Sequence, residues 1–233
     1  SYPKSYGLLS SYLYPNDMLA VTYLKALANT NIEPISIERT NDYHGTDIEV
    51  ISSATAIRNA VKNRIDISQT TPISITNPIF NDDLYPTLRH ILFTKSSEEL
   101  SQIFLVTEGI ENLLKENAVK YDNYEDFIQN SVSRRYTKAR IQRILLQIFN
   151  NITKAEVNNL PEMNYIRVLG FNSKGKTILN NIKKNIDIPI LTKYDPKYLS
   201  KDLNITEILS LNNIINDKKS FIEKEYKNRI IIK

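Results

Sequence analysis

The stretch ISSATAIRNAVKN, Ile51 to Asn63, decides the fold class, because it joins a short apolar run to a helix whose start is crowded with hydroxyls. Val50 and Ile51 read as the end of a buried segment. Ser52, Ser53 and Thr55 then place hydroxyls and free backbone N–H groups at a helix start, and Arg58 follows about one turn later on the same end. Two readings fit these residues. One is an ordinary serine-capped helix carrying a surface arginine; the other is an anion site, since the helix dipole favours negative charge at that end.

Upstream, IEPISIER, Ile32 to Arg39, alternates Ile35, Ile37 and Arg39 on one face, which predicts a strand ending in a cation. Ligands in open α/β sheets sit beyond the carboxyl ends of strands, so Arg39 is either a ligand contact or a solvated strand-end charge. Before it, PNDMLAVTYLKAL, Pro15 to Leu27, predicts a helix from about Asp17, with Leu19, Tyr23 and Leu27 at helical spacing beside Ala20 and Leu24. Asn16 there is a helix cap or a polar group facing a nucleotide from the helix start. His44 reads as a surface residue. The order helix, strand, loop, helix is that of the second half of a nucleotide-binding α/β domain, and it places a domain over residues 1–65.

From about Asp66 the character changes to a mostly helical array over 66–233. NDDLYPTLRHILF, SEELSQIF, GIENLLKENAV and NYEDFIQNSV are each short, polar-capped and apolar at helical spacing. YTKARIQRILLQIF follows as a longer helix with Ile141, Ile144, Leu145 and Ile148 as its buried stripe. The last part, IDIPILTKYD, ITEILSLNNIIN and RIIIK, mixes short strands with a helix.

GFNSKGKT, Gly170 to Thr177, fits the phosphate-loop pattern G-x-x-x-x-G-K-[ST], with Gly170, Gly175, Lys176 and Thr177 in the required places. The rest of the chain does not cooperate. Such a loop opens a parallel sheet whose later strands each cross over through a helix, and too few residues follow Thr177 for several crossovers. Pro189 interrupts the next strand candidate, and Lys193 sits just before Asp195. The stretch reads instead as a glycine-turned loop between a buried segment and a helix.

Composition supports no disulfide, export signal or membrane span: the 233 residues contain no cysteine and no signal-like apolar run, so a cytoplasmic location is expected. Net charge is a mild +4, but it is polarised. Residues 131–184 hold eleven Lys/Arg against two acids, while the first 130 residues hold ten basic and seventeen acidic residues. A concentrated positive segment points to a polyanion partner for that part alone. On helical spacing Arg135, Arg140 and Arg143 face away from the apolar stripe, and no acid lies nearby in sequence to pair with them. They are a solvated face or an RNA-backbone face, with Tyr136 and Tyr165 as stacking candidates.

SYP, PNDMLAVTYLKAL, ISIER, ISSATAIR, SVSRRYTKARIQRILLQI and YIRVLGFNSKGKTIL, in this order over most of the chain, resemble the bacterial tRNA(Met) cytidine acetate ligase family of the nucleotidyltransferase-like superfamily. The resemblance implies a partial Rossmann-like α/β domain followed by a helical, basic, tRNA-binding domain. It also implies a two-step reaction. Acetate and ATP, with magnesium, give an acetyl-adenylate, and the acetyl group passes to the exocyclic amine of the wobble cytidine of elongator tRNA(Met). Carried over residue by residue, it makes Asn16, Arg39, Ser52, Ser53, Thr55 and Arg58 the ATP contacts. This chain has PND where the family often has PNN, so only Asn16 carries over from that motif. The tRNA contacts implied are Arg134, Arg135, Lys138, Arg140, Arg143, Lys174 and Lys176. The family also begins with a strand and a His-x-Gly-His-type motif that contacts the triphosphate. His44 and His90 are the only histidines here and neither has that context. The expectation is therefore a C-terminal portion, inactive alone, with no catalytic residue assigned. The rival readings are a nucleotidyltransferase acting on a small molecule and a non-catalytic RNA-binding module.

Overall fold

The computed structural model describes residues 15–37, 48–49, 51–73, 75, 77–160, 164–227 and 231–232. Backbone contacts divide the chain into two units, 1–74 and 75–233, nine residues beyond the boundary read from composition. The difference has a local cause. Thr70 donates its hydroxyl to the carbonyl of Glu49 and lies 3.3 Å from the Ser52 hydroxyl, so the segment after Asp66 is tied back to the first unit.

In the first unit, α1 (Pro15–Leu27) is the helix expected from the Leu19, Tyr23 and Leu27 spacing. It starts earlier than expected. Asn16 lies inside its first turn and is not a cap preceding it, because Pro15, with its fixed φ and no N–H to satisfy, suits the opening position. Residues 32–37 form no strand, and Ile35 and Ile37 are 87 % and 92 % exposed. Alternation alone does not make a strand: backbone N–H and C=O groups need a neighbouring strand to bond, and no strand among the described residues of this unit supplies one. Arg39, His44 and Val50 lie outside the described residues. Ile51, read as part of a buried run, is exposed. Next, α2 (Ala54–Lys62) forms as expected, with Ser53 as its N-cap and Ala56 and Ala60 buried.

The second unit opens with the helical array: α3 (Asn81–Thr94), α4 (Ser97–Ser101), α5 (Ile110–Lys120), α6 (Tyr124–Ser131) and α7 (Lys138–Phe149). Each apolar stripe read from the sequence turns inward. Ile141, Ile144, Leu145 and Ile148 of α7 meet Leu88 and Leu92 of α3, Leu114 of α5, and Phe127 and Ile128 of α6 in one buried cluster. Two polar side chains at its margin are satisfied. The Tyr85 hydroxyl donates to the Tyr121 carbonyl at 2.7 Å, and burial pushes its pKa up to about 12. Asn117 donates to the Ser131 hydroxyl at 3.0 Å, joining α5 to α6.

A short helix, α8 (Lys154–Asn158), leads to a smaller α/β part. It contains β1 (Ile166–Arg167), β2 (Gly170–Phe171), α9 (Ser173–Ile182), β3 (Ile190–Leu191), α10 (Pro196–Ser210), α11 (Lys218–Lys227) and β4 (Ile231–Ile232). β1 pairs in parallel with β3, and β2 in parallel with β4. Pro189 does not prevent β3. It precedes the strand, where no ladder N–H is demanded of it, and its carbonyl accepts from Ile166 N at 2.8 Å.

Gly170 sits where β2 and β4 meet closely: a Cβ there would lie 2.9 Å from the Ile231 carbonyl oxygen. Gly170→Ala is therefore expected to destabilise the second unit by about 1–3 kcal/mol, the usual range for overpacking. Urea denaturation reads the loss, with faster hydrogen exchange at the Ile231 amide, which donates to the Leu169 carbonyl. Unchanged exchange there would show that the backbone yields at no cost.

Candidate nucleotide-binding and RNA-binding sites

At the start of α2 the hydroxyls divide into two roles. Ser53 is buried, and its Oγ accepts from Ala56 N at 3.0 Å, so it satisfies one of the amides that a helix start leaves open. Ser52 accepts from Glu49 N at 2.7 Å and donates to Glu49 O at 2.8 Å, which closes the turn before the helix. These two serines shape the loop. Thr55 and Arg58 are both exposed, and the guanidinium donates to the Thr55 hydroxyl at 3.1 Å. They place a cation and a hydroxyl together on the first turn, at the end where the dipole favours an anion. Thr70 was not legible as part of this site, because its link to the Glu49–Ser52 turn spans residues far apart in sequence.

The GFNSKGKT stretch has the geometry of a capped helix, not of a phosphate cradle. α9 begins at Ser173, so Gly175 and Lys176 lie inside its first turn. The Asn172 side chain accepts from Gly175 N at 2.9 Å, and Lys176 N donates to the Asn172 carbonyl at 2.9 Å. Two of the amides that would have to surround phosphate, those of Gly175 and Lys176, are thus occupied. Gly175 has a packing reason as well, since a Cβ there would come within 3.0 Å of the Phe171 Cβ. The Lys174 and Lys176 side chains remain exposed.

The basic segment is less uniform than its sequence. Lys154 is tied into the fold through Ser101 O at 2.7 Å, and Arg167 pairs with Glu225 at 2.8 Å. Arg135, expected to be free of acids, has one, with Glu108 Oε2 3.6 Å from its Nε, and Lys138 is paired too, with Glu125 Oε1 3.0 Å from its Nζ. Both acids are remote in sequence and arrive from α6 and the loop before α5. Tyr136 is no stacking platform for bases. It is buried, its hydroxyl donates to the Thr107 carbonyl at 2.8 Å, and the Arg140 guanidinium covers its ring at 4.4 Å. Burial, with Glu108 beside it, pushes the Tyr136 pKa up, so it stays a donor. Tyr165 packs against Tyr198. Arg134, Arg143, Lys174 and Lys176 are exposed, and no described acidic side chain pairs with them.

The first unit, with α1 and with Thr55 and Arg58 at the start of α2, precedes a mostly helical unit bearing a basic segment, and the chain as a whole is nucleotidyltransferase-like. The chain belongs to the HIGH Nucleotidyl Transferase family, whose model matches residues 4–227. It is similar to the tRNA(Met) cytidine acetate ligase of Acetivibrio thermocellus, 32 % identical over an alignment of 226 positions that covers 87 % of this chain and 54 % of the relative. The protein of the same name from Clostridium acetobutylicum is 33 % identical over 98 % of this chain and 60 % of its own length. The chain thus spans little more than half the length of the curated relatives it matches. The fold is shared with crystal structures of Thermotoga maritima TmcAL. The apo form superposes with a TM-score of 0.77 at 23 % identity, over 93 % of this chain and 60 % of that one. The form bound with alpha-thio ATP gives a TM-score of 0.76 at 24 % identity, over 94 % and 59 %.

Proposed function

We propose that this chain serves an ATP-dependent ligase that activates acetate and acetylates the wobble cytidine of elongator tRNA(Met). What carries the reading is the chain-long similarity to relatives named for that activity. Thr55 and Arg58 contact the ATP phosphates from the start of α2, joined by Asn16 and Arg39, while Ser52 and Ser53 hold the loop in shape. Magnesium enters with the nucleotide's own phosphates. Arg134, Arg135, Lys138, Arg140, Arg143, Lys174 and Lys176 meet the tRNA backbone, and these contacts position the tRNA without reading its bases. No membrane partner is invoked; among the described residues no helix is long and apolar enough to cross a bilayer.

A gel-shift titration with elongator tRNA(Met) tests this. Binding is expected without ATP, weakening steeply between about 50 and 200 mM salt, by about a factor of 10³ for roughly six phosphate contacts. No binding at low salt overturns the RNA half of the proposal. A second expectation concerns turnover. These 233 residues contain no His-x-Gly-His motif, so incubation with tRNA, ATP, magnesium and acetate should yield no acetylcytidine by nucleoside mass spectrometry. Product would place the whole catalytic apparatus within them.

A further inference from the structure

The loop between α4 and α5 carries backbone conformations that the sequence does not advertise. Leu105 and Glu108 adopt left-handed φ values of 69° and 59°, followed by Gly109 at 77°. For residues with a Cβ such conformations persist only where the surroundings impose them, and they gather at binding sites. Here the surroundings are the start of α7. Thr107 accepts from Arg140 Nη2 through its hydroxyl at 3.2 Å and from the Tyr136 hydroxyl through its carbonyl. Arg140 Nη1 donates to the Arg135 carbonyl at 3.2 Å. The Arg140 plane is thus fixed on the Tyr136 ring with two of its N–H groups engaged, and a guanidinium has about five, so the others remain for a ligand. The Glu108 carboxylate completes the group, 3.6 Å from Arg135 Nε and 3.3 Å from the Tyr136 hydroxyl.

We propose that the Glu108 carboxylate holds the place of one RNA backbone phosphate, masking Arg135 until tRNA displaces it. This rests on the RNA-binding reading above and deepens it. The chemistry matches: carboxylate and phosphate each present anionic oxygens to a guanidinium, and Arg135 Nε already lies 3.6 Å from the one it faces now. Displacement is easy because the pair is solvent-facing, with side chains 68 % and 50 % exposed, and exposed pairs hold weakly. The arrangement fixes Arg140 beside Arg135, while the carboxylate offsets one positive charge of this face until tRNA arrives.

Gel-shift titrations of the 233-residue chain with elongator tRNA(Met) at several salt concentrations test this. Glu108→Gln keeps the side-chain shape and removes the competing charge. It should tighten binding by about threefold to tenfold at about 50 mM salt and steepen the slope of log affinity against log salt by about 0.9, one more phosphate neutralised. The gain should vanish in the Arg135→Gln background, since masking needs something to mask. An equal gain in that background would mean simple long-range repulsion and overturn the proposal, as would unchanged or weaker binding by Glu108→Gln alone. The underlying reading fails separately: if Arg134→Glu with Arg143→Glu leaves binding untouched, or if no tRNA is bound at all, the RNA face itself is misplaced and this proposal falls with it.

Discussion

Reversing Arg134, Arg143, Lys174 and Lys176 to glutamate together is expected to weaken tRNA binding by on the order of a hundredfold or more at about 50 mM salt, with a slope against log salt shallower by about 0.9 for each phosphate no longer neutralised. These four are chosen for what they lack. They are exposed and pair with no described acidic side chain, so their charge is available to a ligand and their replacement costs the fold little. Lys154 and Arg167 would be poor choices despite equal charge, because each is built into the structure through Ser101 or Glu225. Since phosphate contacts carry no sequence information, the weakening should be similar for elongator tRNA(Met) and for an unrelated tRNA. An effect confined to the elongator tRNA would mean that these side chains read bases. Unchanged affinity for both would remove the basic segment from the RNA interface.

What the sequence could and could not say about this interface follows from the range of the forces involved. The α7 stripe was legible because Ile141, Ile144, Leu145 and Ile148 repeat within one helix, and helical periodicity is a local property. The Ser53 cap was legible for the same reason, its bond to Ala56 spanning three residues. The pairing of Arg135 with Glu108 was not, because it depends on a turn made by left-handed residues in a loop before α5. Ile35 and Ile37 mark the opposite failure, in which a correct local alternation predicts a strand that only a neighbouring strand can realise. The phosphate-loop motif failed for a third reason: its glycines answer to packing against Ile231 and Phe171, and a pattern of residue types does not distinguish room for phosphate from room for a backbone.

That distinction yields the other large expected effect, in calorimetric titrations with ATP and magnesium. Arg58→Ala is expected to reduce ATP affinity by about tenfold to a hundredfold, as removal of a charge-assisted hydrogen bond contributing about 1.5–3 kcal/mol would. The change is a clean one for the fold, because Arg58 is exposed and its guanidinium bonds the neighbouring Thr55 hydroxyl, so thermal stability should move little. Arg39→Ala should act in the same direction. Lys176→Ala should leave ATP affinity nearly unaltered while raising the tRNA concentration needed for half-saturation, since the amides beside Lys176 are already engaged by Asn172 and only its side chain is open to a ligand. The opposite result is well defined. A phosphate loop at Gly170–Thr177 would need Asn172 to release Gly175 N and the first turn of α9 to unwind around the nucleotide; Lys176→Ala would then abolish ATP binding, and the two arginine changes would be nearly silent. The geometry argues against that outcome, because the capped turn and the close approach of Gly175 to Phe171 both favour the helix as it stands.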